Sequence, residues 1–119
     1  LKNLKLNNLK RKKIALFYRK NIKNKLVKTL NYSKGCVYHQ FVILCKKEKN
    51  LTKLLTKKKI QWGKHYPKPL HKLSASKNLF KKKSFPNSEY FSNYGISLPI
   101  DPNLKRKDLI KICNIINSF

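Results

Sequence analysis

Residues 37–45 read VYHQFVILC, a run of β-branched and aromatic side chains between Gly35 and a cluster of lysines. Such side chains favour strands, so the run predicts a strand over 37–45. Its end is almost continuously apolar, and both faces of the strand therefore require cover. The rest of the chain has to supply that cover.

The helices predicted on both sides of this run can cover the two faces of the strand. Upstream, apolar residues recur at roughly helical spacing over residues 1–22 and predict a long amphipathic helix with a basic outer face. These residues are Leu1, Leu4, Leu9, Ile14, Phe17 and Tyr18. A helix on a membrane surface would share this pattern. Downstream, a leucine-rich helix is predicted from a cap at Asn50 to about Lys58.

The remaining segments alternate short strands and helices. We predict strands over 60–63 and 96–99, a short helix capped by Asn87 or Ser88 and stopped by Gly95, a flexible Lys-rich flap over 72–83, and a helix over 104–116. The predicted fold class is α+β, a small antiparallel or mixed sheet covered by helices, with a long helix at its N-terminus.

The charge of the chain is strongly unbalanced. Thirty basic and four acidic residues give a formal charge of +26, which attracts nucleic acid, anionic lipid and acidic proteins. Arginine, the preferred fork for phosphate and base contacts, occurs only at Arg11, Arg19 and Arg106. Excess Lys beside excess Asn, Ile and Leu is typical of AT-rich coding sequences, which favours a solvated lysine surface. A small basic nucleic-acid-binding protein is the alternative.

The cysteines and the chain ends set further expectations. Cys36, Cys45 and Cys113 are odd in number and show no CxxC spacing, which predicts reduced thiols and no zinc site. No apolar stretch reaches the roughly 20 residues of a membrane span, and no leader opens the chain, so we expect a cytoplasmic protein without a membrane partner. Because the chain begins at Leu1 and lacks Met, we expect a piece of a longer protein.

Side-chain combinations that could perform catalysis are scarce. The sequence has no Gly-rich phosphate loop and no nucleophile elbow, and its carboxylates are Glu48, Glu89, Asp101 and Asp108. Glu48 lies among lysines and Asp108 near a predicted helix start, where a negative charge is stabilised by the helix dipole. Structural roles are favoured for both, which argues against a hydrolase with paired carboxylates.

His65 and Tyr66 are the better candidates for a site. They follow a predicted strand and precede Pro67, so their side chains would project from a strand end into a cleft. The alternative is that both are half-buried and satisfy nearby backbone groups. His71 fits an ordinary loop position, and His65 with His71 lacks a third metal ligand.

Two runs in this region carry a resemblance. IQWGKHYPKPLHK (60–72) resembles the GI-x-HYP-x-P-x-H motif in the C-terminal domain of nucleotide-sugar aminotransferases of the DegT/DnrJ/StrS type. FPNSEYFSNYGISLPIDPNL (85–104) resembles the family's next segment, a short helix followed by SLP-x-x-P-x-L. Upstream, 37–47 and the leucine-rich helix resemble the strand and helix before the HYP motif, and 1–22 resembles the linking helix with its RR-x-IA-x-x-Y pattern. The resemblance is collinear through essentially all 119 residues.

The resemblance implies part of a fold-type I aminotransferase. Such enzymes use pyridoxal phosphate to transfer an amino group, usually from glutamate, to a nucleotide-linked keto sugar, in deoxysugar or cell-surface polysaccharide biosynthesis. It implies a linking helix over 1–22, a C-terminal small domain over 23–119, and a homodimer at full length. The Schiff-base lysine and the cofactor contacts would lie in a large domain outside this chain, so the fragment would be inactive alone. His65 and Tyr66 would face the sugar nucleotide.

One segment departs from the family pattern. Lys105, Arg106 and Lys107 stand where family members carry acidic residues in the first turn of the last helix. Cations there oppose the helix dipole by a few tenths of a kcal/mol each, which a buried Ile stripe offsets. Compositional drift explains the change better than a new function, and a non-functional remnant of the family is a third interpretation.

Overall fold

A three-stranded antiparallel sheet in the order β1-β2-β3 organises the chain. The structure is a computed structural model and describes residues 2–76, 78–80 and 83–119. Its elements are α1 (Leu4–Asn21), β1 (Val27–Thr29), β2 (Phe41–Cys45), α2 (Glu48–Lys57), a 3-10 turn (Leu70–Lys72), α3 (Pro86–Tyr94), β3 (Gly95–Leu98) and α4 (Arg106–Asn117). The α+β prediction is confirmed.

The central strand β2 lies at the centre of the hydrophobic core. Its register pairs Phe41 with Leu98 of β3 and Cys45 with Val27 of β1. Phe41 and Ile43 are fully buried, as are Leu51 and Leu55 of α2. The leucine stripe of α2 and the isoleucines of α4 therefore provide the cover that the apolar run requires.

The long N-terminal helix is partly covered. Ile14, Ala15 and Tyr18 are buried, whereas Leu4 and Leu9, which the helical stripe placed on the same apolar face, are about half exposed. Leu1 lies outside the described residues. The C-terminal end of α1 packs on α4, where the Asn117 amide accepts a hydrogen bond from the Lys23 N–H and donates one to the Asn21 carbonyl, both 2.8 Å long. Only the second half of α1 thus belongs to the core.

The strand predicted over 37–45 is shorter than expected. Tyr38 has φ of 52°, in the left-handed region that a strand does not use. The strand therefore begins at Phe41, and residues 37–40 form an irregular approach to it. In this approach Tyr38 is buried against Tyr32, with ring centroids 5.0 Å apart.

The strand predicted over 60–63 is wrong apart from one residue. Gly63 forms a single bridge with Ser97, on the edge of β3 that β2 does not use. Before it, Lys59 adopts φ of 57° directly after α2. The Lys59 N–H bonds the Thr56 carbonyl and the Ile60 N–H bonds the Leu55 carbonyl, which is the Schellman arrangement. After this tight helix stop, only Gly63 of the segment pairs with β3.

Several boundaries differ because capping was misassigned. Asn50 lies inside α2, which begins at Glu48 without a side-chain cap. Helix α3 begins at Pro86 and also lacks a side-chain cap. Gly95 has extended backbone and opens β3, and a Cβ there would lie 2.6 Å from the Phe91 carbonyl oxygen. Close backbone approach, and not a left-handed turn, requires this glycine.

Strand β1 and the predicted flap over 72–83 also differ from the prediction. Strand β1 was missed, since three residues with one half-buried face give almost no periodic signal. In the predicted flap, Lys72 belongs to the 3-10 turn, and Phe80 packs edge-on against Phe85 with centroids 5.6 Å apart. Residues 77, 81 and 82 of the flap lie outside the described residues.

Candidate functional site

A cleft of about 370 Å³ lies where the HYP segment crosses the end of β3. Its lining combines five polar or imidazole side chains with an indole and the strand exit; it consists of His39, Gln40, Gln61, Trp62, Gly63, His65, Ser97, Leu98, Pro99 and Ile100. Volumes of a few hundred Å³ with convergent polar groups are usual for small-molecule sites. The two runs that carried the resemblance thus form one surface.

Backbone pairing fixes the start of the HYP segment. The Gly63 N–H donates to the Ser97 carbonyl over 3.0 Å, and the Ser97 N–H donates back over 2.8 Å. Lys64 next to it donates to the Asn93 carbonyl at 3.0 Å and forms an ion pair with Glu48 at 3.1 Å. The structural role predicted for Glu48 is thereby confirmed. The segment is tied to β3, α2 and α3 just before His65.

His65 is held against this bridge. Its Nδ1 lies 3.0 Å from the Ser97 hydroxyl oxygen, and a Cβ placed on Gly63 would lie 2.6 Å from its Cε1. Ser97 is buried, whereas His65 is exposed and lines the cleft. The imidazole is therefore fixed on one edge and open to the cleft elsewhere.

Tyr66 does not share this cleft. Its side chain is 74% exposed and lines a separate apolar groove of about 880 Å³, together with Leu70, Phe85 and Phe91. The peptide bond between His65 and Tyr66 is cis, and the two rings meet edge to face with centroids 5.9 Å apart. The predicted pair is adjacent but serves two different concave surfaces.

His71 is tied to α3 and is not a free loop residue. Its Nε2 lies 3.0 Å from one carboxylate oxygen of Glu89, and Lys72 Nζ lies 2.6 Å from the other. The imidazole also packs on Phe85, with centroids 4.8 Å apart. The hydrogen bonds from Lys72 and His71 hold the pKa of Glu89 below its usual value. This cluster closes the end of the HYP segment onto α3.

The lining of the cleft suits binding better than acid–base catalysis. Among the described residues, no carboxylate lines it, and its polar groups are amides, imidazoles and a hydroxyl. These groups hydrogen-bond to sugar hydroxyls and phosphates. Within the same part of the chain, no group of three His, Cys, Asp or Glu side chains could hold a metal ion.

The lining of the cleft does not offer the groups that hold pyridoxal phosphate. The cofactor requires a lysine for its aldehyde and an acidic partner for its ring nitrogen. Glu48 and Glu89 are engaged by basic neighbours, the Asp101 carboxylate accepts the Asn103 N–H at 2.7 Å, and Asp108 lies in the first turn of α4. None of these carboxylates lines the cleft beside a lysine.

His39 and Gln40 are site residues that the sequence prediction missed. They were assigned to the strand over 37–45, whereas the structure places them before β2 in the lining of the cleft. A polar His-Gln pair inside an otherwise apolar run was the available signal, because a buried strand rarely carries two such residues in succession.

Comparison with known proteins assigns a class to this architecture. The crystal structure of S. venezuelae DesV in complex with a ketimine intermediate superposes over 99% of this chain and 33% of its own with a TM-score of 0.92. At 24% identity this likeness shows the fold. A DegT DnrJ EryC1 StrS aminotransferase from Brucella abortus superposes over all of this chain and 32% of its own, with a TM-score of 0.87 and 28% identity. The fold is that of part of an aminotransferase.

The family follows from the sequence match. The model of the DegT/DnrJ/EryC1/StrS aminotransferase family matches residues 1–117, and the chain belongs to this family. The dTDP-3-amino-3,6-dideoxy-alpha-D-galactopyranose transaminase of Aneurinibacillus thermoaerophilus is 32% identical over 114 residues, which is 94% of this chain and 31% of the relative. The chain thus spans about a third of the length of its relatives. No helix within the described ranges is long and apolar enough to cross a membrane.

Proposed function

We propose that this chain forms one wall of the substrate cleft of a pyridoxal-phosphate-dependent aminotransferase. The enzyme transfers an amino group, from glutamate, to a keto sugar linked to a nucleotide, in deoxysugar or cell-surface polysaccharide biosynthesis. The observation that carries the proposal is the joining of the HYP and SLP runs into one polar cleft by the Gly63–Ser97 bridge. Family membership supports the class of reaction.

His65 and Tyr66 act as substrate-binding residues in this proposal. The His65 imidazole is anchored at Nδ1 and exposed to the cleft, which suits a hydrogen bond to a hydroxyl or phosphate. Tyr66 is mostly exposed at the adjoining apolar groove, where its ring can pack on a flat ligand surface. The two residues would contact different parts of an extended ligand, as a sugar joined to a nucleotide is.

The division of labour between domains is also a proposal. Residues 1–22 act as a linking helix and 23–119 as a C-terminal small domain. The Schiff-base lysine and the cofactor contacts belong to a large domain outside these residues, as the family resemblance implies and as the roughly threefold greater length of the relative allows. The cofactor, when bound there, supplies the electron sink for amino transfer. The 119 residues alone would then be inactive.

The amino donor and the assembly rest on the resemblance. Glutamate as donor and a homodimer at full length are the properties that the motif segments imply, whereas the cytoplasmic location is the expectation from the reduced cysteines. The donor and the assembly can be measured on the complete enzyme, by donor screening with α-keto acid detection and by sedimentation. The relative named as a dTDP-amino-sugar transaminase makes dTDP-linked keto sugars the first acceptors to assay.

The test is steady-state kinetics of the complete enzyme with His65→Ala and Tyr66→Ala. We expect His65→Ala to raise KM for the sugar nucleotide by about tenfold, the loss of one hydrogen bond to a charged group, while KM for the amino donor changes little. Tyr66→Ala should also raise KM for the sugar nucleotide, because the ring surface is lost. Lys111→Gln is the control, since Lys111 is exposed on α4 and lines neither the cleft nor the groove. Equal effects on both substrates, or none on the sugar nucleotide, would contradict the proposed roles.

A further inference from the structure

The Ser97 hydroxyl has one described partner. Within the described residues, every buried side-chain nitrogen or oxygen has a hydrogen-bond partner, and for the Ser97 oxygen that partner is His65 Nδ1 at 3.0 Å. The Ser97 backbone groups are already engaged by Gly63 on both sides of the bridge. A hydroxyl proton in a buried position requires an acceptor. Nδ1 is the acceptor that the described residues offer.

This geometry decides which nitrogen of neutral His65 carries the proton. If the Ser97 hydroxyl donates to Nδ1, then Nδ1 is unprotonated and the hydrogen of the neutral ring lies on Nε2. The reverse assignment would direct Nδ1–H at the hydroxyl oxygen and leave the hydroxyl proton without a described acceptor. The Nε2 atom has no hydrogen-bond partner in the described part of the chain, so its N–H is available to a ligand.

Gly63 keeps the ring in this place. A Cβ at residue 63 would lie 2.6 Å from Cε1 of His65 and 3.3 Å from its Nδ1. The first separation is far below a normal contact, so a larger residue at position 63 would displace the ring edge that Ser97 holds. The glycine therefore serves the close approach of the imidazole, and its backbone bridge to Ser97 holds the two hydrogen-bonding residues in register.

We propose that Ser97 is a positioning residue that fixes His65 as the Nε2–H tautomer, so that the imidazole presents a hydrogen-bond donor to the ligand. A neutral donor of this kind recognises acceptor oxygens, such as those of a diphosphate or a sugar. In this tautomer Nε2 already carries a hydrogen and cannot accept a proton, and the basic Nδ1 is occupied by the Ser97 hydroxyl, which makes His65 a binding group and not a general base. The identity of the ligand rests on the proposed function, whereas the tautomer does not.

The first experiment reads the tautomer without any ligand. The complete protein is labelled with 15N-histidine and its ring nitrogens are recorded at alkaline pH, where the imidazole is neutral; His65→Gln assigns the signals. We expect an unprotonated Nδ1 and a protonated Nε2 for His65. A protonated Nδ1 in the wild-type protein would overturn the proposal, and this reading needs no variant that might misfold.

The second experiment tests the role of the hydroxyl. Ser97→Ala should give a mixture of the two tautomers at His65, and Ser97→Thr, which keeps a hydroxyl, should restore the Nε2–H form. Affinity for dTDP, used as the probe, should fall by about three- to tenfold in Ser97→Ala and recover in Ser97→Thr. An unchanged tautomer in Ser97→Ala would refute the positioning role. A correct tautomer with no dTDP binding in any form would refute the proposed ligand class alone.

Discussion

The Tyr18 hydroxyl donates a hydrogen bond of 2.8 Å to the carbonyl of Pro99, across 81 residues of sequence. Tyr18 is buried on α1 and its ring lies 5.1 Å from that of Phe41. Pro99 follows β3 directly and lines the cleft. The N-terminal helix is therefore joined to the strand exit that forms part of the candidate site.

Removing the Tyr18 hydroxyl should destabilise the protein without creating a large cavity in the core. Tyr18→Phe keeps the ring but leaves the Pro99 carbonyl unpaired, which costs about 1–2 kcal/mol. Burial raises the pKa of Tyr18, with Cys113 and Asp108 adding smaller effects, so the phenol stays protonated over the working pH range. Denaturant unfolding measures the difference. Tyr90→Phe, at a half-exposed position, is the control; an equal loss in both variants would contradict the assignment.

Replacing Lys59 should stabilise the helix stop. Lys59 has φ of 57°, and a left-handed non-glycine residue costs about 1 kcal/mol or more. Lys59→Gly removes that strain while keeping the Schellman hydrogen bonds, so we expect a gain of about 0.5–1 kcal/mol in the free energy of unfolding. Lys58→Gly is the matched control, because φ at Lys58 is −86° and glycine gains nothing there. A loss of stability in Lys59→Gly would show that the strain is absent.

The Glu89 cluster should make stability depend on pH. The hydrogen bonds from Lys72 and His71 lower the pKa of Glu89 in the folded state. The stabilisation is therefore complete at pH values well above 4.5, the ordinary pKa of this carboxyl, and is lost as the pH falls through 4.5 to the lowered pKa. Glu89→Gln should lower the urea midpoint at neutral pH, and the difference should vanish in acid.

A comparison of Lys72→Gln with Glu89→Gln measures how much of the stabilisation comes from Lys72 and how much from His71. Lys72→Gln removes one ion pair and leaves His71 in contact with the carboxylate, so it should have a smaller effect than Glu89→Gln. A midpoint difference between the wild type and Glu89→Gln that stays constant from neutral to acid pH would exclude the ionised carboxylate as its cause.

The cysteines should differ in reactivity. Burial raises the pKa of Cys113 to about 11 and also raises that of Cys45, whereas Cys36 is only partly buried. The thiolate is the reactive form, so a raised pKa and burial both slow modification. An aromatic disulfide reagent at mildly alkaline pH should label Cys36 first and all three thiols after denaturation. Rapid labelling of Cys113 in the native protein would contradict its placement in the core.

The net charge should make the 119-residue piece dependent on ionic strength. A formal charge of +26 opposes compaction through self-repulsion, which salt screens. We expect this piece to be soluble only at raised ionic strength and its thermal midpoint to rise with sodium chloride. A sharp cooperative melt at low salt would show that self-repulsion does not limit folding.

The elements that the sequence predicted well are those with a long local signal. Helices α1, α2 and α4 follow from apolar residues at helical spacing, and β2 from its β-branched run. The misses arise from backbone that departs from such a pattern. Left-handed Tyr38 shortened β2, and left-handed Lys59 ended α2 where no glycine marked a stop.

The candidate site likewise has residues that the sequence predicted and contacts that it did not. His65 and Tyr66 were predicted from a histidine and a tyrosine before a proline, but nothing local indicated that they line two different surfaces. His39 and Gln40 were hidden in a predicted strand, and the bonds of His71 and Lys72 with Glu89 join residues 17 or 18 apart in the chain.

By itself the sequence determined the α+β class, the family and the approximate elements, because periodicity and motif spacing are properties of consecutive residues. Only the tertiary structure decided that Ser97 holds His65, that Gly63 makes room for the imidazole, and that Tyr18 reaches Pro99. These contacts join residues up to 81 apart, and their geometry depends on how the sheet and helices pack. Because a protein interior is closely packed, few arrangements of the sheet and helices are possible, and the one that forms determines which side chains meet at the site.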